Sequence, residues 1–358
     1  MNRLGRASRS SLLILLALLF SYGFAGADGI RVESVLQGLQ YPWSMNFAAD
    51  GRLYFSERGG KLTRFDPESQ EMMAIFGMPP PRVQGEAGMM GLALDPDFAD
   101  NQLFYICYAT RDAEGHPTNR LSRFQLKNQR LTDETILFDN MPGAAYHNGC
   151  RVITSPDGEY LYFSMGDAGK AGMAPVPGYL GGKIFRLELD GSIPSDNPFA
   201  GSAVWSIGHR NPQGLRFRPD TDQLWSTEHG PDTQDELNLI EKGGNYGWPI
   251  CRGTAQCPGI PGYHPAIAEF DHDATVATSD LIFYSGKAYP QWKGNIFFVT
   301  LKTGRLYRLV LDGDTVARTE ILINGRYGRL RDIAEAPDGK IYISTDNGKD
   351  TIWRVSPE

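Results

Sequence analysis

The feature that most constrains this chain is an internal repeat, in which a polar turn is followed by a strand-like run. The unit occurs six times in 358 residues, starting at Ala49, Phe98, Pro156, Pro219, Gln291 and Pro337. Asp, Asn, Gly and Pro supply the turns, and aromatic and β-branched residues supply the runs that follow, as in A-D-G-R-L-Y-F-S-E. Recurrence of this kind indicates a repeat architecture.

Each copy of the unit has further strand patterns on both sides. Alternating apolar and basic residues come after it, as in G-K-L-T-R-F and G-R-L-Y-R-L, and another apolar run comes before it, as in W-S-M-N-F-A. Three strands per unit are therefore visible, and a fourth fits in the longer remainder. The sequence predicts an all-β fold, a six-bladed β-propeller of four-stranded blades.

The last repeat ends close to the end of the sequence and lacks room for its outer strand. Residues 30–37, I-R-V-E-S-V-L-Q, are apolar and β-branched, so we expect this N-terminal strand to complete the last blade and close the ring. A pair of β-sandwiches is the alternative architecture. It does not explain why the unit recurs six times.

Composition restricts the class of protein and its partners. The chain is 41% hydrophobic and 22% charged, which is typical of a globular domain with ample core. Its formal net charge is −7, and no basic stretch offers a surface for phosphates. We therefore expect no nucleic-acid partner.

The N-terminus has the pattern of an export signal. Arg3, Arg6 and Arg9 precede the apolar run L-L-I-L-L-A-L-L-F, and the small residues 25–27 offer a cleavage site. We predict a signal peptide over residues 1–27, a propeller over residues 28–358 and a periplasmic location. The alternative is a membrane anchor, but the run is shorter than the ~20 residues of a spanning helix. We expect no stable membrane insertion of the mature chain.

An exported chain can keep disulfides. Cys251 and Cys257 lie in the short loop C-R-G-T-A-Q-C, for which we predict a local bridge. Cys107 and Cys150 fall in separate strand-like runs, and sequence alone leaves their pairing open.

In a propeller, the first strand of each blade lines the central channel, so residues that precede these strands meet at one mouth. The polar residues at these positions are Gln40, Tyr41, Glu86, Tyr146, His147, His209, Arg210, Asn211, Asp273, Thr275, Arg329 and Arg331. Guanidinium groups bind planar carboxylates, so three converging arginines favour a polyanionic ligand. The alternative for any one of them is a structural ion pair with Glu86 or a local aspartate.

A second polar concentration is S-T-E-H-G-P-D-T-Q-D-E-L-N, residues 226–238. It mixes carboxylates with a Gly-Pro step, and hard cations such as calcium bind carboxylate and carbonyl oxygens together. The spacing is not that of an EF-hand. A cation site and a solvated loop both remain open on this chemistry.

These residues resemble the soluble pyrroloquinoline quinone (PQQ) dependent glucose/sorbosone dehydrogenase family, including periplasmic aldose sugar dehydrogenases. The resemblance runs from about Gln40 to Val355. Its most specific motifs are G-H-R-N-P-Q-G-L, E-H-G-P with D-E-L-N, G-G-N-Y-G-W-P, D-G-S-I-P-S-D-N-P-F, and R-L-R-D with A-P-D-G. The family fold is a six-bladed propeller, in agreement with the repeat count.

The resemblance implies roles for individual residues. His147 matches the general base that takes the proton of the sugar C1 hydroxyl, a task that suits imidazole. Asp167 matches the carboxylate that orients this base, and Arg210 completes the catalytic set. The cofactor-binding set for PQQ, which has three carboxylates, is Glu86, Arg210, Asn211, Gln213, Thr275, Lys302, Arg329 and Arg331.

The same resemblance implies two calcium ions. The carbonyls of Gly230 and Pro231 match ligands of an ion that also contacts the cofactor, and Glu236 with the Tyr246 carbonyl matches a second, structural ion. Oxidation of an aldose at C1 to the lactone follows, with electrons passed to a quinone or a small redox protein. The preferred sugar, the acceptor and the choice between monomer and dimer stay open.

Three departures from the family pattern bear on activity. Glu86 stands where relatives often have Gln and adds negative charge beside an anionic cofactor. Tyr146 stands where some have Asp, and Cys150 replaces a small residue. Two other functions therefore remain alternatives, a non-catalytic binding or scaffold propeller and a calcium-dependent lactonase.

Overall fold

The computed structural model describes residues 24–25, 29–271 and 273–358. The predicted signal peptide, apart from the backbone of residues 24–25, lies outside the described residues. The described chain is almost entirely β, and in it no helix has the length and hydropathy of a membrane span.

The strands come in six groups. The first two strands are β1 (Phe24–Ala25) and β2 (Ile30–Leu39). Blade 1 consists of β3 (Pro42–Phe47), β4 (Leu53–Glu57), β5 (Lys61–Phe65) and β6 (Met72–Ile75). Blade 2 consists of β7 (Met89–Leu94), the short helix α1 (Phe98–Asn101), β8 (Leu103–Arg111), β9 (Pro117–Lys127) and β10 (Arg130–Pro142).

Blade 3 consists of β11 (Val152–Thr154), β12 (Tyr160–Met165), a 3₁₀ turn (Ala171–Met173), β13 (Lys183–Glu188) and β14 (Val204–Ile207). Blade 4 consists of β15 (Pro212–Phe217), β16 (Leu224–Glu228), β17 (Asp235–Ile240) and β18 (Ala268–Phe270). Blade 5 consists of β19 (Thr278–Phe283), a 3₁₀ turn (Pro290–Trp292), β20 (Ile296–Thr300), β21 (Arg305–Asp312) and β22 (Thr315–Asn324). Blade 6 contains β23 (Leu330–Glu335), β24 (Ile341–Thr345) and β25 (Asp350–Pro357).

The predicted propeller and its closure are confirmed. Strand β2 pairs antiparallel with β25, with Val32 opposite Val355, and thereby supplies the missing strand of blade 6. The strand extends to Leu39, beyond the predicted Gln37, and β1 adds a fifth strand outside it. The inner strands β3, β7, β11, β15, β19 and β23 each pack against the next, and β23 packs against β3. The ring is thus closed by strand pairing.

Apolar faces of neighbouring blades pack together to form the core. Phe163 and Phe185 stack at a centroid distance of 4.8 Å within one such cluster, beside Cys107 and Leu121 of blade 2. All four are fully buried. Burial of side chains of this size stabilises the fold by about 1.5–3 kcal/mol each.

An ionic cluster crosses the channel below the amino ends of the inner strands. The Arg151 guanidinium lies 2.7 Å from Asp332 Oδ1 and 3.3 Å from Asp280 Oδ1, and all three side chains are buried. Burial raises the pKa of Asp332, against the opposing charge of Arg151. The cluster ties blades 3, 5 and 6 together beneath the mouth.

Two disulfides are present. The predicted Cys251–Cys257 bridge is confirmed, and the pairing that sequence left open is Cys107–Cys150. The Cys107–Cys150 bridge joins the middle of blade 2 to a residue two positions before the inner strand of blade 3. Cys150 therefore has a structural partner.

We expect loss of the Cys107–Cys150 bridge to destabilise the protein more than loss of the other bridge. The two bridges close loops of 43 and 6 residues, and a longer loop restricts the unfolded chain more. Cys107→Ala with Cys150→Ala should lower the free energy of unfolding by about 2–4 kcal/mol. The measurement is urea unfolding of this double variant and of Cys251→Ala with Cys257→Ala. The prediction is contradicted if removing the Cys107–Cys150 bridge lowers the free energy of unfolding by the same amount as, or less than, removing the Cys251–Cys257 bridge.

Candidate functional site

Predicted site residues from several blades surround the amino-terminal mouth of the channel. They lie before β11, β15, β19 and β23 or at the start of these strands, and they are His147, Arg210, Asn211, Thr275, Arg329 and Arg331. Hydrogen bonds between blades connect most of them, as described below. Convergence at one mouth was the expectation from sequence.

An imidazole and a carboxylate form a tightly held pair. His147 Nδ1 lies 2.8 Å from Asp167 Oδ1, and Asp167 is 1% exposed. Burial works against the charge of Asp167, but hydrogen bonds from His147, Gly169 and Trp248 hold the pKa of this carboxyl below its usual range. Because an ionised carboxylate only accepts hydrogen bonds, Nδ1 carries the hydrogen and Nε2 is left as an acceptor.

The local backbone places this imidazole. His147 has a left-handed φ of 57°, and its N–H donates to Glu86 Oε2 at 3.1 Å. Gly166 passes so close that an added Cβ would lie 2.2 Å from the His147 carbonyl oxygen. Glu86 and Gly166 therefore support the His147 loop from two blades. Glu86 acts here as an acceptor for the loop.

Arg210 lies beside this pair with free hydrogen-bonding capacity. Its Nη1 donates to the His229 carbonyl at 3.3 Å, and its Nε is buried without a partner. Burial lowers the pKa of Arg210, although Asp167, Glu228 and Glu86 oppose the effect. His229 Nε2 is also enclosed without a partner, and burial lowers the pKa of His229 to about 3. Two orphaned nitrogen atoms thus lie next to the dyad.

A row of hydrogen bonds crosses the mouth from blade 4 to blade 6. Asn211 Oδ1 accepts from Gln213 Nε2 at 3.1 Å, and Gln213 Oε1 accepts from Arg331 Nη1 at 3.0 Å. Arg331 in turn donates to Asp346 Oδ2 at 2.5 Å. The buried Nδ2 of Asn211 has no partner. Arg331 is 3% exposed, so it fills the ion-pair role that sequence left open as an alternative.

Positive charge remains available above this row. Arg329 is 45% exposed and lies 3.7 Å from Asp346 Oδ2, a weak pairing. Lys302 is exposed, and among the described residues it has no ion pair. The prediction of a cationic mouth therefore rests on Arg210, Arg329 and Lys302, with Arg331 buried behind them.

The loop that follows β16 is held by Asp235. This carboxylate accepts from the Gly230 N–H at 2.8 Å and from Thr275 Oγ1 at 2.6 Å, so it joins blade 4 to the start of blade 5. A Cβ on Gly230 would lie 2.0 Å from the Thr233 carbonyl oxygen, so only glycine fits. Asp235 thereby holds Gly230 next to Thr275.

Two carboxylates face a very small cavity behind Arg210. Glu228, Glu236 and Tyr246 line it together with Gly230 and Pro231, and its volume is about 10 Å³, the size of one water molecule. Burial and the charge of Glu228 raise the pKa of Glu236. A buried oxygen of the neighbouring Asn238, Oδ1, has no partner. Two acidic groups around an atom-sized space are a suitable setting for a cation.

His209 differs from the expectation that it faces the mouth. It is fully buried, with Nδ1 2.9 Å from Glu228 Oε2 and Nε2 2.8 Å from Ser206 Oγ. Sequence reasoning also assigned no role to Glu228, His229, Trp248 or Asp346, which contact the predicted residues. The motifs E-H-G-P and G-G-N-Y-G-W-P contain Glu228, His229 and Trp248, and they were the sequence signal that could have identified these residues.

A larger cavity, about 680 Å³, lies at the opposite mouth, where the inner strands end at Phe47, Leu94 and Phe217. Its Arg52 and Arg216 already pair with Asp50 and Asp280, respectively. Its lining has no histidine and no buried nitrogen without a partner, so the amino-terminal mouth is the better candidate site.

Comparison with known proteins identifies relatives of this chain. Residues 39–354 match the family model described as Glucose / Sorbosone dehydrogenase. The chain is 30% identical to aldose sugar dehydrogenase YliI of Escherichia coli, over 98% of this chain and 99% of that protein. It is 28% identical to quinoprotein glucose dehydrogenase B of Acinetobacter calcoaceticus, over 90% and 86% of the two chains.

A solved structure extends the likeness. The PQQ-bound form of an aldose sugar dehydrogenase from Streptomyces coelicolor superposes with a TM-score of 0.81 at 32% identity, over 93% of this chain and all of that one. The family model covers most of the chain, including every residue of the mouth described above. This protein therefore belongs to the glucose/sorbosone dehydrogenase family, a family of oxidoreductases.

Proposed function

We propose that this protein is a PQQ- and calcium-dependent sugar dehydrogenase that oxidises an aldose at C1 to the lactone. The observation that carries the proposal is the His147–Asp167 pair at 2.8 Å, beside free cationic groups at one channel mouth. A scaffold propeller has no need of an imidazole whose Nε2 is free while its Nδ1 is fixed by a buried carboxylate. The quinoprotein relative and the PQQ-bound relative support the choice of cofactor.

The residues at the mouth fit a cofactor with three carboxylates. Arg210, Arg329 and Lys302 supply cationic donors with spare capacity, and the unpartnered Nδ2 of Asn211 offers a further donor. Arg331 and Gln213 are hydrogen-bonded to each other behind these donors, and Thr275, bound to Asp235, lies on the side of blade 5. Glu86 is occupied by the His147 N–H, so it supports the base next to the cofactor-binding groups.

Calcium fits two places in the same region. The carbonyls of Gly230 and Pro231 would hold one ion near the cofactor-binding groups, in a loop fixed by Asp235. Glu236 and the Tyr246 carbonyl would hold the second ion, at the small cavity lined by Glu228. Carbonyl and carboxylate oxygens are the ligands that calcium prefers.

The chain supplies the acid–base chemistry. His147 Nε2 takes the proton of the C1 hydroxyl, and the ionised Asp167 stabilises the imidazolium that forms. The bound quinone supplies the acceptor for the hydride that leaves C1. Arg210, 5.4 Å from the Trp248 ring centroid, adds positive charge close to the reacting groups. One proton and one hydride leave the sugar, which gives the lactone.

We also propose that residues 1–27 direct export, so that the mature enzyme acts in the periplasm. Two electrons must leave the site after each turnover. A quinone or a small redox protein is the acceptor class we propose, since the sequence has no C-x-x-C-H motif for covalent haem.

Reconstitution tests the proposal. We expect the purified protein to reduce a dye with aldoses only after PQQ and calcium are both added, with a visible absorbance change on cofactor binding. Lys302→Ala should weaken PQQ binding by about tenfold, because one charge-assisted contact is lost. Lys127→Ala is the matched control, since this lysine lies on the outer hairpin of blade 2 and pairs with Asp133.

Two results would contradict the proposal. Absence of both an absorbance change and dye reduction with every aldose would favour a scaffold. Calcium-dependent hydrolysis of lactones without PQQ would favour a lactonase.

A further inference from the structure

The Asp167 carboxylate depends on a group that belongs to another blade. Oδ1 accepts from His147 Nδ1 and from the Gly169 N–H, both at 2.8 Å. Oδ2 accepts from the indole Nε1 of Trp248 at 2.9 Å, the one hydrogen bond that the described residues give this oxygen. Because Asp167 is 1% exposed, bulk water cannot replace a donor that is lost.

Because of the indole, the two carboxylate oxygens have different hydrogen-bond partners. With Oδ2 held by Trp248, Oδ1 points at His147. Without the indole N–H, only the two bonds to Oδ1 would oppose rotation of the carboxylate about its terminal torsion, which has broad minima. The angle of the bond to His147, and with it the direction of Nε2, would then be poorly fixed.

Trp248 is itself held in a supported loop between β17 and β18. Its backbone N–H donates to the Gly208 carbonyl at 3.0 Å, two residues before Arg210. Its ring lies 5.4 Å from the Arg210 guanidinium and 5.2 Å from that of Arg252. Cys251, bridged to Cys257, donates its N–H to Gly247 at 2.9 Å and closes the turn that carries the indole.

We infer that Trp248 is a positioning residue of the sugar dehydrogenase site, which fixes the orientation of Asp167 and through it the general base His147. The loop that carries Trp248, directly before the Cys251–Cys257 bridge, thereby supports the catalytic pair of blade 3 from blade 4. This inference rests on the proposed function for its catalytic meaning. The contacts among Trp248, Asp167 and His147 can be tested without enzyme turnover.

Other charged and titratable groups surround the pair. Tyr179 and Arg210 face Asp167, and burial raises the pKa of Tyr179, with the charge of Asp167 adding to the effect. Glu86 and His229 lie close to His147. A substitution at Trp248 removes none of these four side chains, and an aromatic replacement keeps a ring beside Arg210, so a change in the titration of the pair reports on the indole N–H.

The test is Trp248→Phe, which removes the N–H and keeps an aromatic ring. We expect kcat to fall about tenfold with little change in KM, because a hydrogen bond to a charged group is lost at the catalytic pair. The acid limb of the pH–rate profile should move to higher pH, because the ionised carboxylate loses a donor and holds the proton of the pair more tightly. Trp353→Phe is the matched control, since that half-buried indole has no partner for its Nε1 and lies in blade 6.

A second measurement uses the unaltered protein without sugar. In an NMR titration, the indole N–H resonance of Trp248 should shift with the same midpoint as the ring protons of His147. The shift should vanish in Asp167→Asn. An indole resonance that does not follow His147, or a Trp248→Phe variant with an unchanged pH profile, would overturn the inference. If the unaltered protein does not oxidise sugars, the proposed function is refuted. The NMR result then still tests whether Trp248 positions Asp167 and His147.

Discussion

His147→Ala is expected to lower kcat for aldose oxidation by about 10²–10⁴-fold, the usual contribution of a general base. The imidazole Nε2 is the group placed to accept the C1 proton, because Nδ1 is bound to Asp167. KM and PQQ binding should change little, since the cationic groups of the mouth are untouched. The measurement is the dye-coupled rate at saturating sugar, with PQQ binding followed separately by absorbance.

The backbone at His147 requires a second variant. Its φ of 57° favours residues that tolerate the left-handed region, so alanine adds a folding cost as well as removing the base. Asn tolerates this region better than alanine, and His147→Asn should lose activity to the same extent with a smaller loss of stability. His116→Ala, at an exposed hairpin, is the control. Activity within tenfold of the unaltered enzyme in His147→Asn would refute the assigned role.

The fold could be predicted from sequence because its determinant is repeated. Turn chemistry and strand composition recur in every blade, so a turn or strand that is wrongly assigned in one unit does not change the predicted number of blades. The closing strand was predictable for a related reason: the last unit lacked a partner, and residues 30–37 were the remaining unpaired apolar run. The pairing of β2 with β25 agrees with that argument.

The site could be predicted only in part. Position before an inner strand identifies the mouth, but it does not tell which way a side chain points. Register shifts occur early in several inner strands, between Pro212 and Gly214 in β15 and between Leu330 and Asp332 in β23. Each shift breaks the alternation of faces. His209 and Arg210 lie before β15, and there His209 is buried against Glu228 while Arg210, the next residue, reaches the mouth.

Partners that are distant in sequence were the main omission. Trp248 and Asp167 are separated by 81 residues, and no local pattern connects an indole to a carboxylate in another blade. The Cys107–Cys150 disulfide likewise joins two residues that are distant in sequence and lie in different blades. Such contacts depend on how neighbouring blades stack, which the repeat signal does not encode.

Calcium is expected to stabilise the protein in a way that depends on pH. Burial and the charge of Glu228 raise the pKa of Glu236 above its ordinary value of 4.5. Without a cation, the folded protein keeps this proton to higher pH than the unfolded chain, so stability falls as pH rises from about 4.5 through the raised pKa. A calcium ion replaces the proton, so its stabilising effect should grow over the same pH range.

The size of the effect follows from mass action. Calcium at 1,000 times its dissociation constant should raise the free energy of unfolding by about 4 kcal/mol above this window, with little effect near pH 4.5. Thermal melting in calcium and in chelator at several pH values measures it. Glu236→Gln should remove most of the response, since glutamine cannot ionise and binds calcium weakly.

Glu320→Gln is the matched control, because this carboxylate lies on β22 and pairs with Arg308 and Arg318, far from the cavity. A calcium response that is equal at pH 5 and pH 8, or that persists in Glu236→Gln, would mean that the ion binds elsewhere. The two carboxylates at the small cavity would then need another explanation. If the response behaves as expected, the ion ties the loop after β16 to β17, beside the Trp248 loop, and so supports both halves of the catalytic site.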